Sequence, residues 1–91
     1  MYKITYSEDT LYDLREIADY ISLDNPFYAK KVITKIYKSI EFLETYPFIW
    51  KPRHDELREL VEPQYKFRIF YKVEDKNIYI ISIFKYKNNW N

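Results

Sequence analysis

With 91 residues, the chain has room for one domain, and a core of that size folds without metal or disulfide. The absence of cysteine excludes a disulfide framework, a thiolate nucleophile and a Cys-based zinc site; the absence of glycine excludes a Gly-rich phosphate loop and leaves Asn, Asp, Pro and Lys to make the turns. A formal net charge of +1 is well short of the basicity of proteins that grip nucleic acid through many phosphates. No apolar run is long enough to span a bilayer and the start carries no signal-peptide pattern, so the expected location is the cytoplasm.

The chain begins with Tyr2, Ile4 and Tyr6 alternating with Lys3 and Thr5, a short first strand. Ser7 or Asp9 then caps a helix predicted over Glu8 to Ser22, with Glu8, Asp9 and Asp13 at the positive end of its dipole. Leu11, Leu14, Ile17, Ala18 and Ile21 form its apolar stripe, while Asp13, Glu16 and Asp19 fall on the wet side. Asp24-Asn25-Pro26 stops this helix and starts the next, with Asn25 as cap and Pro26 at the first helical position, where a missing N–H costs nothing. Ala29, Val32, Ile33, Ile36, Ile40 and Leu43 line one face of the second helix, and Lys30, Lys31, Lys35 and Lys38 the other; it ends before Pro47. Residues 47–56 hold two prolines and no helical period and read as a loop. Leu57 to Val61 reads as a short strand, and Glu62-Pro63-Gln64 turns the chain.

The last part is a long hairpin, Tyr65 to Val73 and Ile78 to Lys87. Tyr65, Phe67, Ile69, Tyr71 and Val73 alternate with Lys66, Arg68, Phe70 and Lys72, the period of a half-buried strand. The second arm is β-branched and aromatic, as a central strand is. A turn at Asp75-Lys76 sets Val73 opposite Ile78, Ile69 opposite Ser82 and Lys66 opposite Lys85, which gathers Lys66, Arg68 and Lys85 on one face. Like charges side by side on a sheet repel, so an anionic partner is expected to compensate them.

Charge is distributed unevenly. In residues 1–25 Lys3 and Arg15 face Glu8, Asp9, Asp13, Glu16, Asp19 and Asp24, a net −4, whereas residues 65–91 carry six cations against Glu74 and Asp75, a net +4. The order strand, helix, helix, strand, strand, strand predicts a single α+β domain over residues 1–91: an N-terminal strand, an antiparallel helical hairpin, then a three-stranded antiparallel meander (β-α-α-β-β-β), with the helices packed on one sheet face. The other face stays partly open, and the basic cluster is expected there.

The segments DLREIADYI at 13–21, NPFYAKKVITKI at 25–36, the helix end from Leu43 to Pro47, LRELV at 57–61, YKFRIFYKV at 65–73 and IYIISIFKY at 78–86 together resemble the RelE/ParE superfamily of toxins from type II toxin–antitoxin modules. The resemblance covers nearly the whole chain. It implies a growth inhibitor that a cognate antitoxin wraps and neutralises, with no cofactor, no metal and no membrane partner. ParE-like members are described as inhibitors of DNA gyrase; RelE-like members cut mRNA on the ribosome without metal. The Asn25-Pro26 start of the second helix, with Ala29, and the long helical hairpin look more like the ParE side. The tail from Lys85 to Trp90 lacks the arginine-rich end and C-terminal histidine of RelE-like nucleases. A third outcome is an inactive relative that keeps only the binding fold.

The nuclease alternative requires a base at the 2′-hydroxyl, an acid at the leaving oxygen and cations for the charge that develops on phosphorus. If the chain is RelE-like, the resemblance makes Arg58, Arg68, Lys85 and Tyr86 the catalytic candidates, with Lys66 and Lys87 in support. Each also has a plainer reading. Arg58 can pair with Glu59 or Glu62, Lys72 with its strand-edge neighbours discourages aggregation, His54 is a loop residue, and Tyr86 and Trp50 pack.

Overall fold

The computed structural model describes residues 1–85. In chain order it has β1 (Lys3–Tyr6), α1 (Glu8–Ser22), α2 (Pro26–Glu41) with a 3-10 turn at Phe42–Glu44, β2 (Pro52–His54), β3 (Leu57–Glu62), β4 (Phe67–Glu74) and β5 (Asn77–Lys85). The strands form one sheet in the order β1-β5-β4-β3-β2. Only β1 runs parallel to its neighbour; the other pairings are antiparallel. The helical hairpin covers one face, so the α+β architecture expected from the sequence is the one adopted. None of the helices among the described residues is long and apolar enough to cross a membrane.

Both helix starts follow their caps. Ser7 Oγ accepts from the Thr10 amide at 3.0 Å, and Asn25 Oδ1 accepts from the amides of Phe27 and Tyr28 at 3.1 Å. Val32, Ile36, Ile40 and Leu43 from the α2 side, with Leu14 from α1, meet Leu60, Phe67, Ile69, Tyr71, Ile78, Ile80 and Ile83 of the sheet in one core. On α1 the face turned to the sheet differs from the expected stripe: Leu11 is exposed, whereas Thr10 is fully buried. The reason lies in β5, which continues past the end of β1 at the Tyr6–Ile80 pair. The N-terminal turns of α1 take over there. Thr10 Oγ1 donates to the Ile80 carbonyl at 3.0 Å, Ser7 Oγ to the Ile81 carbonyl at 3.0 Å, and Asp13 Oδ2 accepts from the Ile83 amide at 3.0 Å. Three polar side chains, each three residues apart, thus satisfy a strand edge that would otherwise be buried with open donors and acceptors. Asp13 accordingly leaves the wet side.

The β4–β5 register departs from the simple hairpin. Val73 lies opposite Ile78, but Tyr71 is opposite Ile80 and Phe70 opposite Ser82, so Ile81 is an extra residue on β5. This bulge flips the parity of the strand. It explains why Ile78, Ile80 and then Ile83 point into the core. Ile69 therefore faces Ile83 rather than Ser82, and Lys85 falls opposite Phe67 rather than Lys66.

Residues 47–56 are not all loop. Pro52–His54 adds a fifth, edge strand to the sheet, where proline is tolerated because one side of the strand makes no ladder. A two-residue connection, Asp55-Glu56, joins it to β3 with φ of 51° and 62°. Positive φ at both positions is the geometry of the tight hairpin turn that usually takes Asn-Gly, and here two carboxylate residues adopt it. Lys66 (φ 64°) and Asp75 (φ 57°) are left-handed as well, making four such residues among those described, a consequence of a chain without glycine.

Candidate functional site

Cross-strand pairs share a face, so the register sorts the candidate residues directly. Glu59 pairs with Phe70, Ser82 with Phe70, and Phe84 with Arg68; these stand on the face away from the helices. Arg58 pairs with Tyr71, a core residue, and so belongs to the helix-covered face. The two arginines brought forward by the resemblance are therefore on opposite sides of the sheet.

On the open face Glu59 is the centre. Its side chain is almost fully buried beneath two guanidinium groups. Arg53 Nη1 donates to Oε1 at 2.6 Å, and Arg68 Nε donates to Oε2. Arg68 also stacks its guanidinium toward the Phe70 ring at 5.4 Å, and Phe70 meets Phe84 edge to face at 5.7 Å. Together with Leu57 and Ser82 these groups border a concavity of about 350 Å³.

Arg58 does different work. Its Nη1 donates to the Trp50 carbonyl at 2.6 Å, and its guanidinium lies 4.9 Å from the Phe48 ring. Beside it, the Tyr71 hydroxyl donates to the Pro47 carbonyl at 2.8 Å. Arg58 and Tyr71 thus tie the stretch after α2 to the sheet. Burial pushes the Tyr71 hydroxyl up to about 12, and the neighbouring Arg58 charge offsets part of that rise.

Lys66 lies in the β3–β4 turn rather than on the open sheet face. That turn is held by the fully buried Glu62, whose oxygens accept from the amides of Gln64 at 3.0 Å and Tyr65 at 2.7 Å. Lys85 ends β5 at the register position opposite Phe67. Tyr86 and Lys87 lie outside the described residues. The expected grouping of Lys66, Arg68 and Lys85 on the open face is therefore replaced by Arg53, Glu59 and Arg68. Sequence reasoning passed over Arg53 because Pro52 to His54 carries no strand period. The spacing that could have found it is the two-residue gap Asp55-Glu56 before Leu57, which makes a hairpin and brings Arg53 beside Glu59. No group of three or more acidic or histidine side chains suited to a metal ion occurs among the described residues.

Chemically, the Glu59 cluster joins two guanidinium groups to one carboxylate, with aromatic rings beside them.

The fold matches solved toxin–antitoxin structures. A chain of the chromosomal ParDE system from P. aeruginosa superposes with a TM-score of 0.83 at 22% identity, covering 96% of this chain and 98% of that one. A chain of the intact RelBE complex from E. coli gives a TM-score of 0.74 at 19% identity, covering 97% of this chain and 100% of that one. No curated protein matches. The family model of the ParE toxin of the type II toxin–antitoxin system parDE matches residues 4–90, and on that match the chain belongs to the ParE toxin family of type II toxin–antitoxin systems.

Proposed function

We propose that the toxin arrests growth by inhibiting DNA gyrase in the cytoplasm, and that a cognate antitoxin encoded with it holds it inactive. The observation that carries this reading is the state of the arginines. Arg53 and Arg68 are engaged by Glu59, and Arg58 is turned to the other face, donating to the Trp50 carbonyl. A metal-independent nuclease needs cations converging on one phosphate beside a base and an acid. The described residues do not converge in that way, and the near-neutral net charge agrees with a protein target.

The test is induction of the chain without its antitoxin, with DNA and protein synthesis pulse-labelled in parallel and supercoiling by purified gyrase assayed alongside. DNA synthesis is expected to stop first, with supercoiling inhibited. A prior collapse of protein synthesis would instead support the RelE-like endonuclease, and Arg68 and Tyr86 would be the first residues to substitute. No effect on either would leave a binding module without toxicity.

A further inference from the structure

The acidic N-terminal half of the chain conceals a separate basic surface. Lys30, Lys31, Lys35 and Lys38 stand on the face of α2 opposite its buried stripe. With Phe27 and Tyr65 they border a shallow concavity of about 650 Å³ between α2 and the β3–β4 turn. Lys31 and Lys35 are four residues apart and Lys35 and Lys38 three, so they are helical neighbours of like charge, a destabilising arrangement. Among the described residues none of these lysines makes an ion pair. The aromatic ends differ in character. Phe27 is 83% exposed, a large apolar ring with no cover, while Tyr65 is half-buried and braced edge to face against Tyr28 at 5.6 Å.

We propose that this groove is the docking surface for an acidic segment of the antitoxin that carries one aromatic or aliphatic anchor. Four uncompensated cations call for carboxylates, and Phe27 with Tyr65 offers the apolar seat for the anchor. From Lys31 to Lys38 the stripe is about 10 Å long, roughly two helical turns. A helical segment with carboxylates at i, i+4 and i+7 spans the same length. A nucleic acid fits less well. The stripe is short for a phosphate chain, and α1, which packs on α2, exposes Glu16 and Asp19, carboxylates that repel phosphates. The antitoxin as occupant rests on the function proposed above; the groove and its preference for an acidic peptide do not.

Two measurements on the full chain separate these points. First, the isotope-labelled protein is titrated with a synthetic helical peptide bearing glutamates at i, i+4 and i+7 and one tryptophan. The amides of residues 27–38 and 64–65 are expected to shift. Shifts elsewhere, or equally strong shifts of the same amides by single-stranded DNA of equal charge, would overturn the proposal. Second, K31E/K35E and, as a control on the sheet, K72E are compared for antitoxin binding. The double variant is expected to remain as toxic as the unaltered chain when alone, yet to lose about tenfold in antitoxin affinity and with it the rescue of growth, while K72E binds normally. Unchanged affinity of K31E/K35E overturns the antitoxin as occupant. Failure of the unaltered chain to arrest growth would count against the toxic activity itself, and the peptide titration would still decide the groove.

Discussion

Glu59 and Thr10 are polar residues in buried places, each held there by named partners. Glu59 is a carboxylate with almost no solvent contact on the open side of a sheet, paired with Arg53 and Arg68. Removing its charge leaves two guanidinium groups competing for a neutral acceptor. We expect Glu59→Gln to cost about 1–3 kcal/mol, read from urea unfolding, with Arg68 supplying most of the loss because Arg53 is largely exposed. Thr10 is fully buried on a helix yet polar, because its hydroxyl serves the Ile80 carbonyl. Thr10→Val keeps the shape and removes that donor, so stability should fall by about 1–2 kcal/mol, whereas Thr10→Ser, which keeps the hydroxyl, should lose less. Equal losses for the two variants would place the effect in packing.

Among the elements, β5 and α1 form the central partnership. β5 is flanked on one side by β4 throughout, and on the other first by β1 and then by the Ser7, Thr10 and Asp13 side chains of α1. The bulge at Ile81 sits where the flank changes from strand to helix, and it sets which β5 side chains enter the core. The edge strand β2 is held more lightly, through a turn whose Glu56 adopts a φ of 62°. A side chain there costs energy that glycine avoids. Glu56→Gly should therefore stabilise the protein by about 0.5–1 kcal/mol, and a lower unfolding midpoint would show that the Glu56 side chain makes a compensating contact.

For the whole molecule, tyrosine ionisation links packing to pH. Tyr6 and Tyr71 are both raised from their ordinary value of 10.0 to about 12, in each case chiefly by burial. For Tyr6, the negative fields of Tyr37, Glu41 and Glu44 add to the rise. In the unfolded chain these hydroxyls ionise near pH 10, before they do so in the folded one. The stability they contribute is thus complete below pH 10 and is lost as pH rises from 10 to about 12. Unfolding midpoints measured across that window should fall, and Tyr6→Phe should flatten the decline. A Tyr6→Phe slope equal to that of the unaltered chain would assign the loss to other groups. At the same scale an acidic α1 packs on a lysine-rich α2, and the two helices suit partners of opposite sign.

Local chemistry alone was enough for both helices, their caps and the buried alternation of β4. Ser7, Asn25 and Pro26 satisfy or dispense with backbone groups within one turn, and a period of two or 3.6 needs no distant partner to be read. The order of elements and the quoted segments likewise carried the family. What depended on distant contacts was legible only in three dimensions. Thr10 entered the core and Asp13 left the solvent because β5, some seventy residues away, needed a donor and an acceptor. The bulge at Ile81 moved Lys85 out of register with Lys66, and pairing with β4 placed Arg58 and Arg68 on opposite faces. The turn at Asp55-Glu56 carried none of the usual residues, so Arg53 came to Glu59 unannounced. The physical reason is common to all four: hydrogen-bond satisfaction at a strand edge and the parity of a register are properties of a pair of strands, and one strand's own sequence does not contain its partner.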